Sequence, residues 1–132
     1  MKMIDKLAWI EIKNGKILST KSFNKEKYYI PGGKREDGES DVQALTREIS
    51  EELQVQLIPD SIRYMGTFEA QADSHPEGIL VKMTCYTAEY TGELKASAEI
   101  EWMEWLSYSD LESVSAVDKI IFKQLKEQGK LL

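Results

Sequence analysis

Apolar residues along this chain recur at two spacings, and the switches between them outline the fold. In residues 6–13, KLAWIEIK, the pattern alternates. Leu7, Trp9 and Glu11 fall on one side and Ala8, Ile10 and Ile12 on the other, which predicts a strand. Asn14-Gly15 follows as a two-residue hairpin signal, and KILSTKS returns as the partner strand. YYIPGG then runs apolar into a Pro-Gly-Gly break. From Ser40 the period lengthens to that of a helix. Ser40 and Gln43 have the spacing of a capping box, and Val42, Leu45, Ile49 and Leu53 form one stripe at steps of three and four. On a helical wheel of about 100° per residue the stripe spans roughly 80°. VQLI, IRYMGTFEA, GILVKMTCYTAEY and WMEWL read as further strands, with Thr91-Gly92 breaking the third. SAVDKIIFKQLKEQ closes the chain as a second amphipathic helix, with Val117, Ile120, Ile121 and Leu125 inward. Hairpin, helix, several strands, helix is the order of an α/β or α+β protein: a mixed sheet between helices in one domain over residues 1–132.

Composition adds little that is unusual. Of the 132 residues 42% are hydrophobic and 30% charged, enough for a core and against disorder. The net charge of −6 argues against tracking a nucleic-acid backbone by bulk attraction, though local cations or metal ions can still hold a small polyanion. A single cysteine, Cys85, excludes a disulfide within the chain. No segment approaches the roughly 20 apolar residues of a membrane span, and the N-terminus has no long apolar run ending in small residues. A soluble, cytoplasmic protein is the expectation. There is no Walker loop, no H-E-x-x-H and no C-x-x-C.

The first helix carries the one anomaly. Glu48, Glu51 and Glu52 crowd one end of it, and like charges at helical spacing repel. Glu48 and Glu52 fall along the edge of the apolar stripe, with Glu51 further round, so they should flank the buried seam. A solvated acidic face would explain a lone E-x-x-E-E. A hard divalent cation explains it better when the neighbours are counted, since such ions bind one or two carboxylates together with substrate phosphates. Mg2+ would cancel the repulsion, neutralise a diphosphate and acidify a bound water. Arg47, four residues before Glu51, can pin it by a charge-assisted hydrogen bond.

Residues 33–55 resemble the Nudix box, G-x5-E-x7-R-E-U-x-E-E-x-G-U with U aliphatic. Gly33, Glu39, Arg47, Glu48, Ile49, Glu51, Glu52 and Val55 match it. Position 54 departs: Gln54 stands where the family has glycine, and must either turn left-handed at a cost on the order of 1 kcal/mol or end the helix differently. The resemblance implies a Nudix-type α/β/α sandwich and an Mg2+-dependent pyrophosphohydrolase of nucleoside diphosphates linked to another moiety, with Mn2+ as a substitute ion. It implies Gly32, Glu48, Glu51, Glu52 and Glu99 as metal ligands. Arg47, Glu51, Glu52 and Glu99 would be the catalytic set. Glu101 is the fallback for Glu99 in SAEIEWMEWL, and the general base stays open among Glu99, Glu51 and Glu52.

Lys21, Gly33, Glu39 and Asp118 are the candidates for contact with substrate. Lys21 matches a cation that faces phosphates in MutT-like members. Glu39 would support the loop or the metal site, or simply be a charge at the helix entry. Asp118 would accept from base amino groups, or simply favour the start of the last helix. Within the family a MutT-like nucleoside triphosphate hydrolase fits best. ADP-ribose or nucleotide-sugar hydrolysis is the second reading, and a nucleotide sensor without turnover a third. An RNA 5′ end remains a further substrate, and a homodimer is left open. Cys85 reads as core, Trp102 and Trp105 as packing in or beside the sheet, and His75 as an exposed loop residue, its loop bordering the cleft as the alternative. Tyr28 and Tyr29 read as core before the Pro-Gly-Gly turn, with one of them stacking on a base as the alternative.

Overall fold

A computed structural model describes residues 2–73 and 75–132 and is organised around one central strand with a core on each side. Strand β1 (Lys2–Trp9) leads into a short hairpin, β2 (Ile12–Lys13) and β3 (Lys16–Ser22), followed by β4 (Gly32–Gly33) and helix α1 (Asp41–Leu53). Then come β5 (Gln56–Leu57), β6 (Arg63–Gln71), β7 (Ile79–Thr87), β8 (Tyr90–Thr91), β9 (Ile100–Leu106) and helix α2 (Ala116–Glu127). The main sheet is mixed, in the order β4-β1-β7-β6. β1 runs parallel to β7, while β4 and β6 are antiparallel to their neighbours. β2-β3-β9 form a second, antiparallel sheet, and β5 pairs with β8.

The alternation in KLAWIEIK is real, but both of its faces are buried. Leu7 and Trp9 enter a core with Leu45, Ile49 and Leu53 of α1. Ala8 and Ile10 enter the other, with Val117, Ile121, Phe122 and Leu125 of α2. This is the expected sheet between helices, and its interior strand is covered on both sides. The strand itself starts earlier than the alternation, at Lys2, and stops at Trp9. Only Ile12–Lys13 pairs back across the Asn14-Gly15 turn, where both residues have positive φ (55° and 75°) as the hairpin signal requires. GILVKMTCYTAEY likewise divides into β7 and β8.

The capping box at Ser40 is formed in full: Gln43 N–H donates to Ser40 Oγ at 3.1 Å and Ser40 N–H to Gln43 Oε1 at 2.9 Å. The inward face of α1 differs from the expected stripe. Val42 is 38% exposed, and Ala44, Leu45, Ile49, Glu52 and Leu53 are buried. The buried arc is turned toward the carboxylates, so Glu52 lies inside the seam instead of flanking it. In α2 the arc through Val117, Asp118, Ile121, Phe122 and Leu125 leaves Ile120 outside, 42% exposed. Trp102 is 57% exposed, whereas Trp105 packs against the α1-side core. Cys85 is buried, and burial pushes its thiol up to about 12, as expected of an inert core residue. Among the described residues no helix is long and apolar enough to cross a membrane.

Candidate active site

The pairing of β4 with β1 sets Gly32 opposite Ala8 and Gly33 opposite Leu7, at the rim of a cleft of about 280 Å3. Gly32, Gly33, Glu48, Glu52 and Glu99 all line this cleft. Lys6, Lys25 and Thr20 line it as well, and Tyr29, Gln71, Asp73 and His75 add a polar surface. Five of the residues singled out from sequence therefore meet in one place, although Glu99 arrives on a loop from across the molecule.

Glu52 is only 5% exposed, and Gly32 N–H donates to its Oε1 at 3.2 Å. Burial pushes its carboxyl up to about 9, with Glu99 and Glu48 pushing the same way. Glu48 is also raised by burial, against the pull of Arg47, whose Nη1 donates to Glu48 Oε1 at 2.8 Å. Gly33 is the cradle for Glu48: a Cβ there would occupy the space of the Glu48 carboxylate. Three carboxylates in one lining, of which Arg47 engages Glu48 and one, Glu52, is deeply buried, are hard oxygen donors that fit a divalent metal ion. Among the described residues no three acidic, histidine or cysteine side chains already converge as a finished ion site. Glu48 is held by Arg47 instead.

Arg47 is the hub of the motif. It donates to Glu39 Oε2 and Oε1 at 2.7 and 2.9 Å, to Glu48, to Glu51 Oε1 at 3.2 Å, and to the Lys34 carbonyl at 3.1 Å. Its guanidinium, with the Glu36 N–H second, holds Glu39 down at about 2. Glu39 thus ties the loop to the helix by way of Arg47 and does not line the cleft. Glu51 is half exposed and also outside the lining, because it lies one step further round the helix than Glu48 and Glu52.

Two other expected contacts are not in the cleft. Lys21 is not among the lining residues. On β3 its neighbours Thr20 and Ser22 face the cleft, and Lys21 pairs with Glu101 at 2.8 Å. That pair leaves Glu99, not Glu101, as the loop carboxylate of the site. Asp118 lies beneath the lining, fully buried. Its Oδ2 accepts from Ile30 N–H at 2.8 Å, while Oδ1 has no partner among the described residues. Gln54 does turn left-handed (φ 58°, ψ 27°), and its N–H donates to the Ser50 carbonyl at 3.0 Å.

The cationic lining was missed in the sequence. Lys6 shares a strand face with Ala8 and Ile10, and a lysine on an inward face is a signal that could have found it. Its ammonium is pulled below the usual lysine range by burial. Lys25 and Asp73 come from loops with no such signal, while His75 lines the cleft, as the alternative reading of its loop has it.

Asp118 yields a pH prediction. Complete burial pushes its carboxyl up to about 7, against the hydrogen bonds from Ile30 and Ser115. An unfolded aspartate titrates near roughly 4. The stability contributed by the protonated group is fully present below about pH 4 and is lost as pH rises through 7. Asp118→Asn cannot ionise, so urea unfolding should show its stability gaining on the wild type between pH 4 and 7. A constant difference across that window would refute the assignment.

Comparison with known proteins places this geometry. The model of the NUDIX domain matches residues 6–125. A Bacillus subtilis (strain 168) protein named as an uncharacterized Nudix hydrolase, YvcI, is 26% identical over 107 residues, covering 79% of this chain and 68% of that protein. The solution structure of the E. coli ORF135 protein is similar with a TM-score of 0.72 and 26% identity, over 96% of this chain and 92% of that one. A MutT NUDIX hydrolase from Burkholderia pseudomallei reaches a TM-score of 0.79 at 21% identity, over 95% and 99% of the two chains, a likeness of fold.

Proposed function

The chain belongs to the NUDIX family, and on that premise we propose that it is an Mg2+-dependent, MutT-like pyrophosphohydrolase, converting a nucleoside triphosphate to the monophosphate and pyrophosphate. Family membership makes it a hydrolase acting on phosphoanhydrides. The choice of ion and substrate rests on the cleft. The observation that carries it is the gathering of Glu48, Glu52 and Glu99 beside Gly32 and Gly33, with Lys6 and Lys25 in the same lining.

Glu48, Glu52, Glu99 and the Gly32 carbonyl are the groups that would hold the ion. When bound, the ion supplies charge neutralisation for the diphosphate and a more acidic water. Glu99 pairs with no cation among the described residues, and it is our choice for the base. It takes a proton from water as the water oxygen bonds to phosphorus and one phosphoanhydride P–O bond breaks. Arg47 holds Glu48 and Glu51 in place from behind. Lys6 and Lys25 face the phosphate chain, and Tyr29, Gln71, Asp73 and His75 offer the other surface to the nucleoside. A cytoplasmic setting, where nucleotides and Mg2+ are plentiful, suits this chemistry.

A panel of nucleoside triphosphates, ADP-ribose and nucleotide sugars, assayed with Mg2+ for phosphate and pyrophosphate release, tests the reading. Pyrophosphate from at least one triphosphate is the expected product. Preference for ADP-ribose over every triphosphate would replace the proposal with its nearest rival, and binding without turnover of any of them would make the protein a sensor.

A further inference from the structure

Gln54 stands where the family motif has glycine, and we propose that it is a positioning residue for the Glu99 carboxylate. Glycine would make the left-handed turn at the end of α1 without strain. What glutamine adds is a side chain: its Nε2 donates to Ser97 Oγ at 3.1 Å. Ser97 lies two residues before Glu99, in the loop that leads into β9.

That loop is fastened to the helix turn that carries Glu52. Ser97 N–H donates to the Glu52 carbonyl at 2.9 Å, and Lys95 N–H to the Leu53 carbonyl at 2.9 Å. Both carbonyls belong to the last turn of α1, whose acceptors have no partner within the helix. Ile100 N–H closes back on the Ser97 carbonyl at 3.0 Å, and Phe23 N–H donates to the Glu99 carbonyl at 3.0 Å. Between them Ala98 is held at φ 54°. Two non-glycine residues in left-handed backbone, Gln54 and Ala98, thus sit on either side of one hydroxyl. Such strain persists only where surrounding bonds over-determine it, and it gathers at functional sites. The main-chain bonds bring the loop to the helix. The Gln54 amide adds a side-chain tie at Ser97, limiting the play of Glu99 relative to Glu52, and small displacements of a reacting group are costly to turnover.

The inference rests on the placement of Glu99 in the catalytic cleft proposed above. The test compares wild type, Gln54→Gly, Ser97→Ala and the double variant, with Ser97→Thr as the replacement that keeps the hydroxyl. Steady-state turnover of a triphosphate with Mg2+, Mn2+ binding by electron paramagnetic resonance, and amide hydrogen exchange over 95–99 are measured. Gln54→Gly should melt no earlier than wild type, since the strained turn is relieved. Its kcat should still fall by about threefold to tenfold with KM within about twofold, as expected for loss of one side-chain hydrogen bond, and exchange over 95–99 should quicken. Ser97→Ala should match it, the double variant should be no worse than either single, and Ser97→Thr should recover most of the loss. Wild-type kcat and exchange in Gln54→Gly would overturn the inference while leaving the enzyme reading intact. A wild-type protein that neither binds Mn2+ nor turns over would overturn the reading beneath it.

Discussion

Glu52→Gln should lose at least tenfold in turnover, about 1.4 kcal/mol in the barrier, and should keep its fold. Glu52 is a charged residue type placed in the helix seam, and its carboxyl is pushed up to about 9 chiefly by burial. Without metal it therefore keeps its proton at neutral pH. Glutamine has nearly the same shape, and its oxygen can accept from Gly32 N–H as Glu52 Oε1 does. A folded-state value raised above the ordinary carboxylate range means stability that is complete below about pH 4 and lost as pH rises through 9. Metal-free Glu52→Gln should then equal the wild type in acid and exceed it increasingly toward pH 9. Excess Mg2+ should reverse the order, since an ion that binds only the folded wild type stabilises it by mass action. Melting curves with a chelator and with Mg2+ at pH 8 read both effects. A variant that gained as much from Mg2+ as the wild type would remove Glu52 from the ion site.

Gly32→Ala and Gly33→Ala should fail in different ways. At Gly32, where φ is 150°, an added Cβ would sit on the Leu7 carbonyl and against Ala8 Cα, both backbone atoms of the central strand. Nothing there can yield. The loss should be on the order of 3 kcal/mol of stability, and the backbone shift that relieves the clash should weaken the hydrogen bond from the residue 32 N–H to Glu52. At Gly33 the nearest atoms to an added Cβ all belong to the Glu48 side chain, which can swing aside by giving up its bond to Arg47. Stability should change by less than about 1 kcal/mol, while turnover falls at least tenfold because a proposed metal ligand has been moved. Urea unfolding and steady-state kinetics on the two variants separate the cases. A stable, inactive Gly32→Ala or an unfolded, undamaged Gly33→Ala would contradict the geometry.

The carboxylate helix was legible because its chemistry is local. Glu48 and Glu52 lie one turn apart, and their spacing from Arg47 and Gly33 can be read without knowing where the sheet lies. The direction of the buried arc was not legible, because it depends on which residues the strands beneath α1 leave room for. Glu52 went inside and Val42 out for that reason. Glu99 could be named only by resemblance, since its approach depends on bonds to the Glu52 and Leu53 carbonyls across the fold. In KILSTKS, Ile17, Leu18, Ser19 and Thr20 are all buried, so hydropathy carries no phase and Lys21 could not be assigned a side. Asp118 illustrates a further limit: a carboxylate at a helix start reads as a solvated charge until the Ile30 N–H is found on it.

The parallel pairing of β1 with β7 has a consequence for how the catalyst comes into being. Ile4 meets Val81 and Trp9 meets Tyr86, so the strand that positions both glycines waits for a neighbour most of the chain away. Everything named in the motif is synthesised before that neighbour. Pairings of such long sequence separation close late and slowly. The nascent helix therefore emerges with Arg47 for Glu48 and Glu51 but with no seam for Glu52, and the enzyme becomes competent only once its last strands are in hand.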